Sequence, residues 1–164
     1  MYRNTAPLVA DYRQIMERAM SGHDFTLFVT LNLNMMTTAE GALSKLRAFD
    51  ARMNSKLLGT GWSRKPNEDR LKYFGALEHI HSNPHWHLLI ESDNPMRVRA
   101  LGNMVWTKLV PSGEFHAKLI ADAPDPEEYR ATLPHYMTKE FGNIEQLDSF
   151  VFPYQFSNQP MSRD

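Results

Sequence analysis

Four histidines crowd into the segment from His79 to His87, in a chain that has seven histidines and no cysteine. With thiolates excluded, a metal would have to be held here by imidazole, carboxylate or amide groups. The run from His85 to Glu91 alternates as a strand does, so His85, His87, Leu89 and Glu91 point one way and Trp86, Leu88 and Ile90 the other. Two imidazoles therefore share a face. The segment from Lys72 to Ile80 also reads as a strand, and His81-Ser82-Asn83-Pro84 between the two has turn chemistry. If that turn pairs Ile80 with His85, Glu78 stands directly opposite His87 on the same face, with side-chain origins ~5 Å apart. The same register sends His79 to the opposite face beside Trp86 and leaves His81 in the turn, so neither is expected as a ligand. Glu78, His85 and His87 form the expected ligand set, with Glu91 as a reserve ligand or a partner for an imidazole N–H. Two neutral imidazoles and one carboxylate suit Mn²⁺, Mg²⁺ or Zn²⁺, with positions open for water or a phosphate oxygen. A lone HxH pair also occurs on strands that expose one face; the opposing Glu78 is what makes this hairpin specific.

A second reactive pair lies far along the chain. Tyr136 and Lys139 are three residues apart on a helical segment and so share a helix face. By themselves they describe a half-buried tyrosine beside a surface lysine.

The elements that must position these groups follow from periodicity. Phe25, Leu27, Val29, Leu31 and Leu33 alternate with more polar positions, which predicts a strand with one face in a core. Thr37 with Glu40 can form a capping box, and Leu43, Leu46, Phe49, Met53 and Leu57 then recur at helical spacing until Gly59. Gly59 to Asp69 reads as a surface loop around Trp62. Met96 to Leu109 is a second helix and Glu114 to Ala121 a further strand. Asp125-Pro126-Glu127-Glu128 starts another helix, which Pro134 is expected to kink or restart, leaving His135 to Phe141 as its last segment. Ala10 to Met20 is an opening helix. The order is strand, helix, two hairpin strands, helix, strand, helix: an α+β pattern with an antiparallel sheet and helices packed chiefly on one face.

Length and composition set the frame. At 164 residues and 42% apolar content, one domain spanning residues 1–164 is expected. No long apolar stretch and no signal-peptide order is found, so a soluble, non-secreted protein without membrane contact is expected. The phosphate-binding pattern GxxxxGK[ST] is missing, and with it any expectation of an attached ATPase or helicase module. Net charge is −1, too little to coat nucleic acid through bulk charge, but the basic residues concentrate between Lys45 and Lys72 and the acidic ones after Ala121. Lys45, Arg47, Arg52 and Lys56 also fit the solvated side of a helix.

Taken in order, Phe28-Val29-Thr30-Leu31-Asn32, the Glu78 to His85-Trp86-His87 hairpin and Tyr136-Met137-Thr138-Lys139 resemble the three motifs of the HUH endonuclease superfamily. The resemblance is to its replication initiators (Rep proteins), in which the tyrosine follows the histidine pair, and it runs from about Phe25 to Gly142. A single tyrosine points to the simpler initiators.

The resemblance implies a central, five-stranded antiparallel sheet flanked by helices, related to ferredoxin-like and RNA-recognition folds. It implies that Glu78, His85 and His87 bind a divalent metal, that Tyr136 attacks DNA, and that Lys139 positions or neutralises the site. Thr30 and Asn32 would serve structure and DNA contact. The implied activity is nicking and joining of single-stranded or hairpin DNA at a replication origin through a 5′-phosphotyrosine, alongside host replication proteins. The setting would be the cytoplasm for a plasmid or phage replicon and the host nucleus for a eukaryotic virus. Single strands are held by basic grooves with aromatic platforms, for which Trp62, Arg64 and Lys65, and Arg97, Arg99 and Lys108, are the candidates. A single-strand transposase of the same superfamily shares these elements, and a non-catalytic nucleic-acid-binding module with a structural metal is the alternative from another class. His85, His87 and Glu91 also fit half of a cupin signature, without its downstream half.

Overall fold

The computed structural model describes residues 6–140 and 149–157. Five strands form one antiparallel sheet: β1 (Leu27–Asn32), β2 (Lys72–Glu78), β3 (His85–Glu91), β4 (Glu114–Leu119) and β5 (Phe150–Val151). Their order is β4-β1-β3-β2-β5. Among the described residues four α-helices accompany them, α1 (Ala6–Met20), α2 (Ala39–Leu58), α3 (Pro95–Leu109) and α4 (Pro126–Thr138). The run β1-α2-β2-β3-α3-β4 with β1 and β3 at the centre is the split βαβ arrangement of ferredoxin-like domains. β5 extends it by pairing Val151 and Phe150 with Gly75 and Ala76 of β2.

The two faces of the sheet bury different residues. On one, Leu27, Val29 and Leu31 of β1 and Trp86, Leu88 and Ile90 of β3 pack on Leu46, Phe49 and Met53 of α2 and Val98, Val105 and Trp106 of α3. Leu27, Val29 and Leu31 have no solvent exposure, which stabilises the fold by about 2 kcal/mol for each. On the other face, Phe74, Ala76 and Leu89 meet Met16 and Met20 of α1 and Leu133 and Met137 of α4. Helices therefore cover both faces, not chiefly one. The reason lies in Leu88-Leu89-Ile90, an unbroken apolar run in the central strand that needs cover on each side.

Local chemistry sets the helix ends. α2 is capped by Thr38, whose Oγ1 accepts the Gly41 N–H at 3.0 Å, and it stops at Gly59, where φ is +86°. The cap thus falls one residue after the expected Thr37, which leaves Glu40 to favour the helix dipole instead of closing a capping box. α4 opens as its sequence predicts, with the Asp125 carboxylate accepting the Glu128 N–H at 3.0 Å and Pro126 in the first turn. It runs through Pro134 to Thr138 without the expected restart, and Phe141, the expected end of that segment, lies outside the described residues. Burial of Leu133, Pro134 and Met137, and bonds from Thr138 Oγ1 (2.8 Å) and His135 Nδ1 (3.1 Å) to Glu17 Oε1 of α1, hold the helix across the missing N–H. Gly59 to Asp69 is a largely exposed connection with two short 3₁₀ turns. Among the described residues no helix is long and apolar enough to cross a membrane.

Candidate metal centre and tyrosine site

The hairpin between β2 and β3 turns earlier than its sequence suggests. The His79 backbone takes a left-handed conformation, φ +52°, and its carbonyl accepts the N–H groups of Ser82 and Asn83 at 3.0 Å each. Ile80 is thereby withdrawn from pairing, and the register sets Glu78 opposite His85 and Ala76 opposite His87. The expected register, with Glu78 opposite His87, is off by two residues. An even shift keeps every side chain on its face, so Glu78, His85 and His87 still converge. The expectation for His79 does not hold. Released from the strand, it leaves the face of Trp86, and Glu78, His79 and His85 each offer a ligand atom within 4.8 Å of the others. His81 is exposed in the turn, as expected.

Glu78 is the hub. Its carboxylate, on a side chain only 3% exposed, places Oε2 at 3.3 Å from His87 Nε2, 3.7 Å from His85 Nε2 and 3.3 Å from Lys139 Nζ. These contacts are ion pairs; no well-formed hydrogen bond reaches either carboxylate oxygen. Each imidazole is oriented from behind. His85 Nδ1–H donates to the Asn83 carbonyl at 2.8 Å, which turns Nε2 toward Glu78. His87 Nδ1 meets Thr30 Oγ1 at 3.0 Å across the β1–β3 pair. Of these residues, Glu78 and His85 belong with His79 to the group that could hold a divalent cation, and His87 faces the same carboxylate.

The electrostatics are tightly linked. Burial alone would push the Glu78 carboxyl up, but His85, His87 and Lys139 outweigh it and hold it down at about 2. The Glu78 carboxylate raises the His85 imidazole against the opposing effect of burial, helped by the Asn83 carbonyl and the Glu140 charge. Burial would lower the Lys139 ammonium, but the Tyr136 hydroxyl and the Glu78 carboxylate prevail and raise it.

Tyr136 stands at the open side of this group, 38% exposed. Its ring centroid is 5.5 Å from that of His87, and Lys139 Nζ lies 3.7 Å from the Tyr136 ring centre. Phe28 of β1 packs against both rings, stacked on His87 at 5.0 Å and edge-on to Tyr136 at 5.6 Å. Thus α4 and the hairpin, far apart in sequence, bring Tyr136, Lys139, His87 and Glu78 together.

Other expected residues separate into near and far. Thr30 lies in the site through His87, and Asn32 sits across from His85 with its carbonyl bonded to the Trp106 indole at 3.0 Å. Arg99 lines a cleft of about 470 Å³ with Phe28, Thr30, His116 and Lys118, opening beside the centre. Glu91 belongs to the opposite end of the sheet, roughly 20 Å along β3 from His85. There it is held by His23 Nδ1 and Lys72 Nζ at 3.0 Å each, so it is neither a reserve ligand nor a partner for His85 or His87. Trp62, Arg64 and Lys65 precede β2 at that same distant end, and the face of the Trp62 ring is taken by the Arg70 guanidinium at 5.4 Å. Arg97 donates to the Lys56 and Leu57 carbonyls at 3.4 and 3.5 Å, closing the end of α2. Lys108 is exposed in the last turn of α3, on the layer that covers the other sheet face. These five are not gathered at the centre.

Sequence reasoning set His79 aside as a ligand, named Phe28 only within a motif, and passed over Lys118 and Glu140. Phe28 had a visible signal, as the large aromatic among Thr26, Thr30 and Asn32 on the otherwise polar face of β1. Lys118 pairs with Phe28 across β1 and β4 and lies 4.2 Å from the Tyr129 ring centre. Glu140, just after α4, reaches back to His79, with Oε1 at 2.9 Å from Nε2. No protein-family model matches the chain, and comparisons with curated proteins and with solved structures likewise found no match.

Proposed function

We propose that the chain is a metal-dependent endonuclease of single-stranded DNA that nicks and rejoins through Tyr136, in the manner of HUH replication initiators. The observation that carries this reading is the grouping of an accessible tyrosine, a lysine and a buried carboxylate ringed by imidazoles on one sheet face. Glu78, His85 and His87 would hold the ion, with Mn²⁺ or Mg²⁺ as its identity and Zn²⁺ as a further candidate. When bound, the ion supplies Lewis-acid stabilisation of charge on the scissile phosphate.

The remaining steps belong to the chain. Phe28 and His87 fix the Tyr136 ring at the mouth of the site. The Tyr136 oxygen attacks phosphorus and loses its proton to water. The bond from phosphorus to the 3′-oxygen breaks, and that oxygen leaves as a 3′-hydroxyl after taking a proton. A 5′-phosphotyrosine results, and attack by a 3′-hydroxyl reverses it. Lys139, kept cationic by its neighbours, offsets phosphate charge and is a poor candidate for the base that deprotonates Tyr136. The exposed Arg99 and Lys118 beside the centre favour a polyanionic strand entering over Phe28.

Incubation with labelled single-stranded oligonucleotides from candidate origins and Mn²⁺, followed by a denaturing gel, tests this. A covalent protein–DNA band that disappears in Tyr136→Phe and with EDTA is expected. Tight binding of origin DNA by the metal-loaded protein without any adduct or cleavage would overturn the nuclease reading in favour of a non-catalytic binding module.

A further inference from the structure

We infer that His79 is a fourth protein ligand of the same ion and that Glu140 is the residue that positions it. This rests on the metal part of the reading above and not on the nuclease part. Three observations lead to it. First, the group whose ligand atoms gather within 4.8 Å of one another is Glu78, His79 and His85, while His87 reaches the same carboxylate through Nε2 at 3.3 Å from Oε2. Second, no well-formed hydrogen bond reaches either oxygen of the buried Glu78 carboxylate; Oε2 has only ion-pair contacts of 3.3 Å with His87 and Lys139 and 3.7 Å with His85, which leaves acceptor capacity for a bound cation.

Third, His79 is held in an unusual way. A non-glycine residue at φ +52° is uncommon, and such backbones persist where the surroundings enforce them. Here Glu140 grips the residue twice, with Oε1 at 2.9 Å from His79 Nε2 and Oε2 accepting the His79 N–H at 3.4 Å. The His79 ring also stacks on that of His85, with centroids 5.3 Å apart and planes 28° from parallel. A carboxylate on Nε2 takes the proton there and leaves the Nδ1 lone pair to ligate. This repeats what the Asn83 carbonyl does for His85, with the two nitrogens exchanged.

The consequence is a centre of one carboxylate and three imidazoles in place of two. It is also tied to the tyrosine helix, because Glu140 directly follows Lys139 at the end of α4. The ion and Tyr136 then share a mechanical link outside the sheet.

Mn²⁺ titration calorimetry on the full chain, with X-ray absorption counting of imidazoles on the Co²⁺ form, tests the inference. His79→Asn is the informative variant, since asparagine tolerates a positive φ and keeps the turn. It should weaken Mn²⁺ binding roughly tenfold or more and reduce the count from three imidazoles to two. Glu140→Ala should weaken binding about tenfold, and Glu140→Gln, which keeps an oxygen acceptor, should recover part of it. His79→Asn with wild-type affinity and an unchanged imidazole count would overturn the inference while leaving Glu78, His85 and His87 as the site. Failure of the wild type to bind Mn²⁺ or Co²⁺ would overturn it together with the metal reading. An absent DNA adduct with three imidazoles still counted would remove only the nuclease reading.

Discussion

Glu78 Oε2 lies 3.3 Å from His87 Nε2 although the two residues are not cross-strand partners; Ala76 is the partner of His87 and His85 that of Glu78. The contact is diagonal, and the small side chain of Ala76 leaves the space over its position to the longer ones. Glu78→Gln keeps that reach and removes the charge. Mn²⁺ affinity is expected to fall tenfold to about a hundredfold, read by titration calorimetry; an unaltered affinity would show that the carboxylate is no ligand.

Thr30 acts through His87, whose ring it orients from Nδ1 at 3.0 Å. Thr30→Val preserves shape and removes the hydroxyl, and should weaken Mn²⁺ binding by roughly tenfold. Thr30→Ser restores the hydroxyl and should recover the affinity. Equal binding by the valine and serine variants would refute the orienting role.

Lys139 carries its charge between Glu78 and Tyr136, and its raised pKa keeps it protonated at neutral pH and above. Lys139→Met should slow adduct formation by about a hundredfold or more while the pH–rate profile from about pH 7 to 9 keeps its shape. A limb of the wild-type profile in that range that vanishes in the variant would reassign the residue as a base.

Arg99 and Lys118 flank the cleft that opens beside Thr30 and Phe28. The double alanine variant should weaken oligonucleotide binding and reduce the slope of log affinity against log salt by about 1.4, as for two phosphate contacts on a single strand. Trp62→Ala, at the far end of the sheet, should leave both unchanged. The reverse pattern, measured by fluorescence anisotropy, would move the strand to the Trp62 loop.

Asp50 reports on the other core. Burial raises its carboxyl from 3.8 to about 6, against lowering contributions from Tyr73, Asn54 and Arg70. The folded state therefore binds the proton more tightly than the unfolded chain, so this group's contribution to stability is full below pH 3.8 and is lost as pH rises through about 6. The loss amounts to at most about 3 kcal/mol. Urea midpoints from about pH 4 to 7 should show wild type losing ground relative to Asp50→Asn. Parallel pH dependence in the two proteins would contradict the assignment.

Much of the architecture was legible in the sequence because period-two and period-3.6 patterns report burial directly. β1, the hairpin, α2, α3, β4 and α4 all appear near their predicted places. β5 has two residues, too short to show any period. The double-sided helix cover was foreshadowed by Leu88-Leu89-Ile90, but periodicity alone does not say which helix covers which face.

At the candidate site, the sequence by itself determined that His85 and His87 share a face and that Glu78 joins them, since alternation along a strand survives any even shift of register. Which residue stands opposite which, and whether His79 stays in the strand, depended on the left-handed turn at His79. That turn is supported by Glu140, sixty-one residues away. Likewise no spacing in the chain places Tyr136 against Phe28 and His87. Only the packing of α4 on the sheet brings these distant segments to within 6 Å, because proximity between them is set by the burial of Leu133, Met137, Phe74 and Leu89 and not by anything local.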